Sequence, residues 1–447
     1  MSCGRVLVIG AGLAGCEAAW QLARRGIRVR LVDMKPAERT PAHHLPTKAE
    51  LVCSNSLRGA SLSGAVGLLK EELRRLDSLL LRVADETAVP AGRALAVDRH
   101  LFSQRIEQLL TDCPLIEIET RHVETLPEEG PVIIATGPMT DGRLLEALAA
   151  HGATLNYHDA IAPLIAADSI DYDVVYRKDR WEEVTEESSY LNCPFDRAGY
   201  EAFVRALIEA EKTPLHDFET APFFEGCLPV EEMAARGMET LAHGPLKPVG
   251  LVDPRTGKRA WAVAQLRRED AAGTSYNLVG FQTRLTRLAQ LRVLRMIPGL
   301  EHAKIERYGQ VHRNTFVDAP SVLDEHLRLK CSPHLRLAGQ LTGVEGYVES
   351  IASGFLAAVY LAGEMAGVSV PLPPPQSALG GLARHTGRIG GPYQPSNVVW
   401  AMIDTPVRDK RKIGKNDFRE VCAKNALDLI SEWKETLPPT TAAPVNC

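Results

Sequence analysis

Metal-binding and disulfide patterns are absent from this 447-residue sequence. Its nine cysteines are an odd number, none forms a C-x-x-C pair, and no His/Cys spacing fits a zinc site. A metal site and a disulfide framework are therefore not expected. We expect a cytoplasmic protein with reduced thiols. The sequence also has no N-terminal signal and no run of eighteen apolar residues, so no membrane contact is expected.

An excess of positive charge is also absent. The net charge is −5, which gives the molecule as a whole no attraction for nucleic acid, so any such binding requires a local basic patch. Hydrophobic residues make up 45% and charged residues 24%, as in ordinary soluble globular proteins. A chain of this length is expected to form about two or three domains. The oligomeric state is left open, with a monomer as the expectation.

The first thirty-odd residues carry the pattern of a dinucleotide site. A strand is predicted at 5–9, a helix follows to about residue 25, and a second strand over 27–32 ends at Asp33. In the G-x-G-x-x-G turn, Gly10 allows the tight turn, Gly12 lets backbone approach a pyrophosphate, and Gly15 lets helix and strand pack closely. Asp33 can accept hydrogen bonds from a ribose, and the alternative is a structural turn. The predicted contact residues are Gly10, Ala11, Gly12, Leu13, Ala14, Gly15 and Asp33.

A second strand–glycine–helix unit lies at 334–367. Its helix N-terminus can face a pyrophosphate or the flavin ring, where negative charge accumulates on reduction. A buried strand over 130–138 carries A-T-G and fits the same parallel sheet. Together these features favour FAD over NAD, and the alternative is a second structural unit. NAD(P)H is expected to visit only transiently, because no third fingerprint exists. The further predicted contacts are Gly137, Gly339, Gln340, Gly346 and Tyr347.

The predicted fold class is α/β, with a Rossmann-type, glutathione-reductase-like FAD-binding domain. From about residue 156 to 310 the sequence carries aromatic and acidic residues, prolines and short strand signals, which favours an inserted α+β domain. The expected divisions are 1–160 and 311–370 for the two parts of the FAD-binding domain, 161–310 for the insertion domain, 371–436 for a C-terminal helical segment and 437–447 for a disordered tail.

Two cysteines differ from the others in their surroundings. Cys53 lies among polar residues in L-V-C-S-N-S-L-R, and Cys227 lies in F-F-E-G-C-L-P-V-E-E, a predicted loop. A reactive thiol needs access and a stabilised thiolate, and a buried or incidental thiol is the alternative for each. The neighbouring pair His43 and His44 supplies either a proton carrier or a hydrogen-bonded loop pair.

Basic residues concentrate in QLRRED (265–270) and FQTRLTRLAQLRVLRM (281–296). The second segment is either the solvated face of an amphipathic helix or a surface that contacts phosphates. A third basic run, RDKRKIGK (408–415), is expected to face solvent. The candidate phosphate-binding residues are Arg267, Arg268, Arg284 and Arg287.

Long segments of the sequence resemble one known family. TPAHH and ELVCSNSLRG lie within 40–59, and further matching segments follow in order at 223–237, 244–251, 265–270, 276–285, 312–316, 339–350 and 393–398. They are similar to the FAD- and folate-dependent tRNA (uracil-5-)-methyltransferases, the TrmFO family, which is related to the larger GidA-type flavoproteins. The resemblance runs from the glycine turn to about Asp404. Asp33 departs from it, since relatives often carry Glu there.

The resemblance implies C5-methylation of uridine 54 in the tRNA T-loop. It implies 5,10-methylenetetrahydrofolate as carbon donor, reduced FAD as reductant and NAD(P)H as the outside reductant. It further implies that the Cys227 thiolate adds to C6 of the flipped-out base, which makes C5 nucleophilic, and that Cys53 is a second essential thiol. The four arginines would then bind RNA phosphates or the folate tail. A ribosomal RNA uridine as target and a small-molecule FAD oxidoreductase stay open as alternatives.

Overall fold

The computed structural model describes residues 5–140, 142–150, 154–181, 188–214, 228–387, 393–409 and 411–441. Its strands are β1 (Val6–Ile9), β2 (Val29–Asp33), β3 (Ser56–Gly59), β4 (Ala88–Val89), β5 (Ala94–Val97), β6 (Ile116–Thr120), β7 (Val132–Ile134), β8 (Thr154–Ala160), β9 (Leu164–Ala166), β10 (Tyr176–Arg177), β11 (Tyr190–Phe195), β12 (Ala262–Arg268), β13 (Ser275–Leu278), β14 (Ile305–Arg307), β15 (Val311–Val317), β16 (Arg328–Leu329) and β17 (Ser332–Leu337).

The α-helices are α1 (Leu13–Ala23), α2 (Ala65–Arg75), α3 (Leu79–Glu86), α4 (Arg99–Thr111), α5 (Gly142–Ala150), α6 (Arg197–Glu209), α7 (Val230–Ala235), α8 (Thr240–His243), α9 (Arg287–Leu294), α10 (Ala319–Val322), α11 (Tyr347–Ala366), α12 (Ala378–Thr386) and α13 (Lys415–Lys434). Short 3₁₀ helices lie at Ala167–Ser169, Gly339–Thr342 and Trp400–Met402.

The main sheet has the order β16-β17-β7-β1-β2-β6. Its pairings are parallel except for β16 with β17, and β1 lies at the centre, with Val8 opposite Leu31 on β2 and Ile133 on β7. The carboxyl ends of parallel strands meet at one edge, which is where ligands bind in sheets of this type. The first strand–helix–strand unit and the strand within 130–138 therefore form the predicted arrangement.

Two helices pack against each other over this sheet because glycines let their backbones approach. A Cβ on Gly354 of α11 would lie 2.2 Å from the carbonyl oxygen of Ala14 on α1. By length and composition, α11 is also the one helix among the described residues that could cross a membrane, although the sequence analysis identified no such run. In the structure 89% of its apolar window is buried inside the protein, so α11 is a core helix.

A second sheet, entirely antiparallel, is drawn from residues 164 to 307 in the order β10-β11-β12-β13-β9-β14. It has its own hydrophobic core, to which α6 and α9 contribute Phe203 and Val293. A two-stranded sheet of β8 and β15 and a three-stranded sheet of β3, β5 and β4 complete the fold. The second sheet lies within the range expected for the insertion domain, and the domain divisions themselves stay predictions.

The C-terminal segment packs on the first core. Trp433 and Ile430 of α13 belong to that core, and Leu437 is buried in it. Thr441 donates its backbone N–H to the carbonyl oxygen of Arg24 over 2.9 Å. These contacts differ from the disordered tail expected from residue 437, because one apolar side chain and one backbone hydrogen bond hold residues 437–441 against the FAD-binding part. Residues 442–447 lie outside the described residues.

Candidate active site

The glycine turn after β1 has the close contacts that its sequence requires. Gly10 has φ +96°, and a Cβ on it would lie 2.5 Å from the carbonyl oxygen of Ala135. A Cβ on Gly15 would lie 1.8 Å from the carbonyl oxygen of Gly10, so Gly15 serves helix packing and does not line the cavity described below. A Cβ on Gly12 would meet no atom within 4 Å. The backbone of Gly12, at the start of α1, is therefore open to a ligand.

Asp33 ends β2 and shapes this turn. Its carboxylate accepts the backbone N–H of Ala11 over 2.6 Å and that of Lys35 over 2.8 Å. The Ala11 N–H is thus already bonded, and Ala11 itself is buried and does not line the cavity. Each carboxylate oxygen can accept a second bond, so Asp33 keeps the capacity for a ribose hydroxyl. The difference from the predicted contact set is that Ala11 orients Asp33 instead of facing a ligand.

A long cavity follows the carboxyl edge of the main sheet. It is lined by segments from the ends of β1, β2, β7 and β17 and by the start of α11, and the predicted contacts among its lining residues are Gly10, Gly12, Leu13, Ala14, Asp33, Gly137, Gly339, Gln340 and Tyr347. Gly137 has φ +79°, and a Cβ on it would also meet no atom within 4 Å. Two glycines with open space at the Cβ position, a helix N-terminus and an acid at a strand end fit a dinucleotide such as FAD.

A second cavity shares a wall with the first. Gln340, Tyr347, Val52 and Met139 line both cavities. The second cavity adds Cys53 and the residues Ser54, Arg58, Asp159, His312, Asn314, Glu345, Gly346 and Asn397. Gly346 was predicted as a cofactor contact, and the structure instead places it in this second cavity, beside the ion pair of Arg58 and Glu349. The fold therefore brings one of the two predicted thiols to the border of the predicted flavin site.

Hydrogen bonds on both sides hold the loop that carries Cys53. The Tyr347 hydroxyl accepts the backbone N–H of Cys53 over 2.7 Å and that of Ser54 over 3.1 Å. Arg307 donates to the carbonyl oxygen of Cys53 over 3.1 Å. The side chain of Asn55 donates to the carbonyl oxygen of Arg268 on β12 over 3.0 Å. The loop is thus tied to α11 on one side and to the second sheet on the other.

The surroundings of Cys53 favour its protonated form. Burial raises the pKa of the Cys53 thiol to about 12, and the carboxylate of Asp159 adds to that rise. The nearby guanidinium of Arg307 acts in the opposite direction but does not outweigh burial. Cys53 is therefore a thiol at neutral pH. Cys227, the other predicted catalytic residue, lies outside the described residues.

The predicted arginines do not form one surface. Arg267 is buried and donates to the side-chain oxygen of Asn55 over 3.0 Å, so the structure disagrees with a phosphate contact there. Arg284 forms an ion pair with Glu232 at 2.6 Å. Arg287 is exposed at the start of α9 and stacks on Tyr308, with its guanidinium carbon 5.5 Å from the ring centroid. Arg268 is half-buried near the end of β12.

The basic segment over 281–296 is only partly helical. Thr286 caps α9 by accepting the N–H of Ala289 over 3.3 Å, so the helix starts at residue 287 and leaves Arg284 in the preceding chain. Leucines three residues apart in this segment do not share one buried face, because Leu285 is 3% exposed and Leu288 is 82% exposed. Arg284 therefore does not share a helix with Arg287, and the segment does not form one amphipathic helix over its full length.

Sequence reasoning assigned no role to a buried acid in the second cavity. Glu345 accepts two bonds from the Gln340 amide, at 2.9 and 3.0 Å, and one from the Tyr157 hydroxyl. Burial raises the pKa of Glu345 to about 8, and the charge of Asp159 contributes. The sequence pointed to Glu345 only through its place in the family-matching segment 339–350. Its partner Tyr157 is 188 residues away in sequence, so no local pattern shows that the two side chains meet.

Histidines also approach this border. His43 lines the first cavity and shares a hydrogen bond of 2.6 Å with Thr40, which agrees with the hydrogen-bonded loop alternative. His312 lines the second cavity, and burial lowers its pKa to about 4, so it is neutral at physiological pH. Among the described residues there is no group of three or more His, Cys, Asp or Glu side chains placed to hold a metal ion.

The sequence is similar to known proteins over most of its length. Residues 5–369 match the family model described as "Glucose inhibited division protein A". A protein of Anaeromyxobacter dehalogenans (strain 2CP-1) is 54% identical over 98% of both chains, and one of Geobacter sulfurreducens is 53% identical over 97% of this chain and 100% of its own. Both are named methylenetetrahydrofolate–tRNA-(uracil-5-)-methyltransferase TrmFO. The chain belongs to the TrmFO family.

Solved structures agree with the fold of a TrmFO protein. Aquifex aeolicus GidA, in its form II crystal, aligns with a TM-score of 0.68 at 16% identity, over 97% of this chain and 73% of that chain. Its form I crystal gives a TM-score of 0.67 at the same identity. At this identity the likeness concerns the fold, a Rossmann-type domain with an insertion, which confirms the predicted fold class.

Proposed function

We propose that this protein methylates C5 of uridine 54 in the tRNA T-loop, using 5,10-methylenetetrahydrofolate as carbon donor and FAD as redox cofactor. The observation that carries the proposal is the shared wall of the two cavities, where the border of the dinucleotide cleft meets a loop that presents Cys53. Relatives that are 53–54% identical over nearly the full chain carry the name of this activity. NAD(P)H as the outside reductant and a cytoplasmic location are further parts of the proposal.

FAD would be held by the glycine backbones of the first cavity. The open backbone of Gly12 and the N-terminus of α1 suit the pyrophosphate, Asp33 suits the ribose, and Gln340 and Tyr347 at the shared wall suit the ring. When bound and reduced, the flavin supplies the electrons that turn a one-carbon unit at the formaldehyde level into a methyl group. The chain's own residues must then orient the base, exclude water and move protons.

The two thiols divide the remaining chemistry. Addition to C6 of uracil requires a thiolate, and the environment of Cys53 favours a thiol at neutral pH. This supports assigning the attack on C6 to Cys227, as the family resemblance implies. Cys53 then holds a proton at its Sγ next to the substrate cavity. Its backbone bonds to Tyr347 and Arg307 keep that atom in place.

The test is methyl transfer to an unmodified tRNA from labelled methylenetetrahydrofolate, with S-adenosylmethionine as the competing donor. Transfer from folate and none from S-adenosylmethionine is expected, and transfer from S-adenosylmethionine alone would refute the proposal. An unmodified ribosomal RNA fragment serves as the rival substrate, since the names of the relatives favour tRNA. A small-molecule oxidoreductase would instead turn over NAD(P)H without need of folate.

Cysteine variants test the residue roles within the same assay. Cys227→Ala and Cys53→Ala are each expected to abolish methylation while the protein keeps its yellow flavin. Cys331→Ala is the matched control, because Cys331 is an exposed cysteine between β16 and β17, away from both cavities. Full activity of Cys227→Ala would refute its assignment as the nucleophile.

A further inference from the structure

A surface groove on the second sheet lies apart from both cavities of the active site. It runs along the start of β12, the start of α6 and the chain between α8 and β12, and the residues that matter here are Asp196, Arg197, Lys247, Lys258, Arg259 and Trp261. We propose that this groove, called here the tryptophan groove, binds the backbone of the RNA substrate at a point distant from the target nucleotide. The inference rests on the proposed function, which makes RNA the substrate.

The charge of the groove favours a polyanion. Lys247, Lys258 and Arg259 are exposed, and no ion pair involves their side chains in the described part of the chain. Two of the three acids that line the groove are engaged: Asp253 pairs with Arg255 at 3.0 Å, and Asp196 caps α6 by accepting the N–H of Gly199 over 2.7 Å. The third, Glu239, is exposed and has no ion pair among the described residues, so three exposed cations face one unpaired carboxylate. The exposed cations are thus left to neutralise an incoming ligand. This local excess matters because the whole chain carries a net charge of −5.

An aromatic side chain lies among these cations. Trp261 is 39% exposed, and the Arg197 guanidinium stacks on it with its carbon 4.9 Å from the ring centroid. Trp181, which is 63% exposed, lies against Gly250 in the chain between α8 and β12 that forms part of the groove. Large exposed indoles beside cations are typical of surfaces that bind nucleic acid, where bases stack on the ring and cations contact phosphates.

The position of the groove fits a second contact on the same RNA. Strand β12 starts beside Trp261 and reaches Arg267, whose side chain bonds Asn55 two residues after Cys53. At about 3.3 Å per residue, six strand residues span about 20 Å. That distance equals about six base steps of a duplex at 3.4 Å each. The groove is therefore expected to contact nucleotides outside the T-loop, about six base steps from the flipped base.

The experiment compares two RNAs and two pairs of charge deletions. The Kd of the FAD-loaded protein is measured for a full-length unmodified tRNA transcript, and for a minimal hairpin that carries only the T-loop and its closing base pairs. The Lys258→Ala/Arg259→Ala variant is expected to raise the Kd for the tRNA about tenfold, and to reduce the slope of log K against log salt by about 1.5, since two phosphate contacts are lost. Its Kd for the hairpin is expected to stay unchanged.

Matched controls separate this site from general charge effects. Arg28→Ala/Lys424→Ala also removes one arginine and one lysine, both exposed, at the amino end of β2 and on α13. This control is expected to leave both affinities unchanged. Trp261→Ala is expected to weaken tRNA binding about tenfold through lost stacking, with a salt slope like that of the wild type.

Three outcomes would overturn the inference. An unchanged Kd for tRNA in both groove variants would exclude the groove as a contact. An equal loss for the hairpin would place the effect at the target loop. Wild-type protein that binds and methylates no tRNA would overturn the proposed function as well, whereas the first two outcomes would overturn the groove alone.

Discussion

Alkylation of Cys53 by iodoacetamide is expected to be slow at neutral pH and to accelerate about tenfold for each pH unit up to about pH 11. The reason is the pKa of this thiol, which burial and the Asp159 carboxylate raise to about 12. Only the thiolate reacts with the reagent, so the rate follows the thiolate fraction. The prediction applies to the protein before RNA binds.

The magnitude follows from the two opposing effects of a high pKa. At pH 7.5 a thiol of pKa about 12 is about three-thousandfold less ionised than an ordinary one of pKa about 8.5. Its thiolate is more nucleophilic in return, by about fortyfold for a Brønsted slope of 0.4–0.5 over that interval. The net expectation is a rate about a hundredfold below that of an ordinary exposed thiol. Limited access would lower the rate further, but by the same factor at every pH.

The assay is peptide mapping by mass spectrometry after timed alkylation between pH 6.5 and 10.5. Cys331, which is exposed, serves as the internal reference within each sample. Asp159→Asn removes the second cause of the shift and is expected to move the Cys53 profile to lower pH. A Cys53 rate that levels off near pH 8.5, or that matches Cys331 at pH 7.5, would refute the reasoning about its environment.

Three further predictions concern the turn, the loop and the buried acid. Gly15→Val is expected to abolish flavin binding and lower the Tm, because its Cβ would lie 1.8 Å from a carbonyl oxygen. Gly12→Ala, whose Cβ would meet no atom within 4 Å, should fold normally and bind flavin less tightly. Flavin absorbance and melting curves of the two variants test this difference. Tyr347→Phe leaves two backbone N–H groups without their acceptor and is expected to lower the free energy of unfolding in urea by about 1–3 kcal/mol. Tyr360→Phe is the control and should leave it unchanged, because the buried Tyr360 hydroxyl has no partner among the described residues. Equal losses in the two variants would contradict this reasoning. Folding raises the pKa of Glu345 from its usual 4.5 to about 8. The unfolding free energy of the wild type relative to Glu345→Gln is therefore expected to fall as the pH rises from about 5 to about 8. A difference between the two proteins that does not change with pH would refute this prediction.

Local sequence was sufficient wherever neighbouring residues make the structure. The G-x-G-x-x-G turn was predictable because each glycine is required by a turn or a close approach within one strand–turn–helix unit. The cap of α4 was equally local, since Asp98 accepts the N–H groups of the residues two and three positions later. Family resemblance then supplied the reaction, which no spacing rule contains.

Packing decided the rest, because it joins residues that are distant in sequence. The pKa of Cys53 depends on burial and on the charge of Asp159, and neither is visible in L-V-C-S-N-S-L-R. Arg267 is an arginine in a basic segment, as phosphate-binding residues often are, yet the fold buries it against Asn55. A basic residue faces solvent or the interior according to the strand face that it occupies, and sequence shows the charge without the face. The glycine turn could therefore be predicted from sequence, whereas the protonation of Cys53 and the tryptophan groove required the tertiary structure.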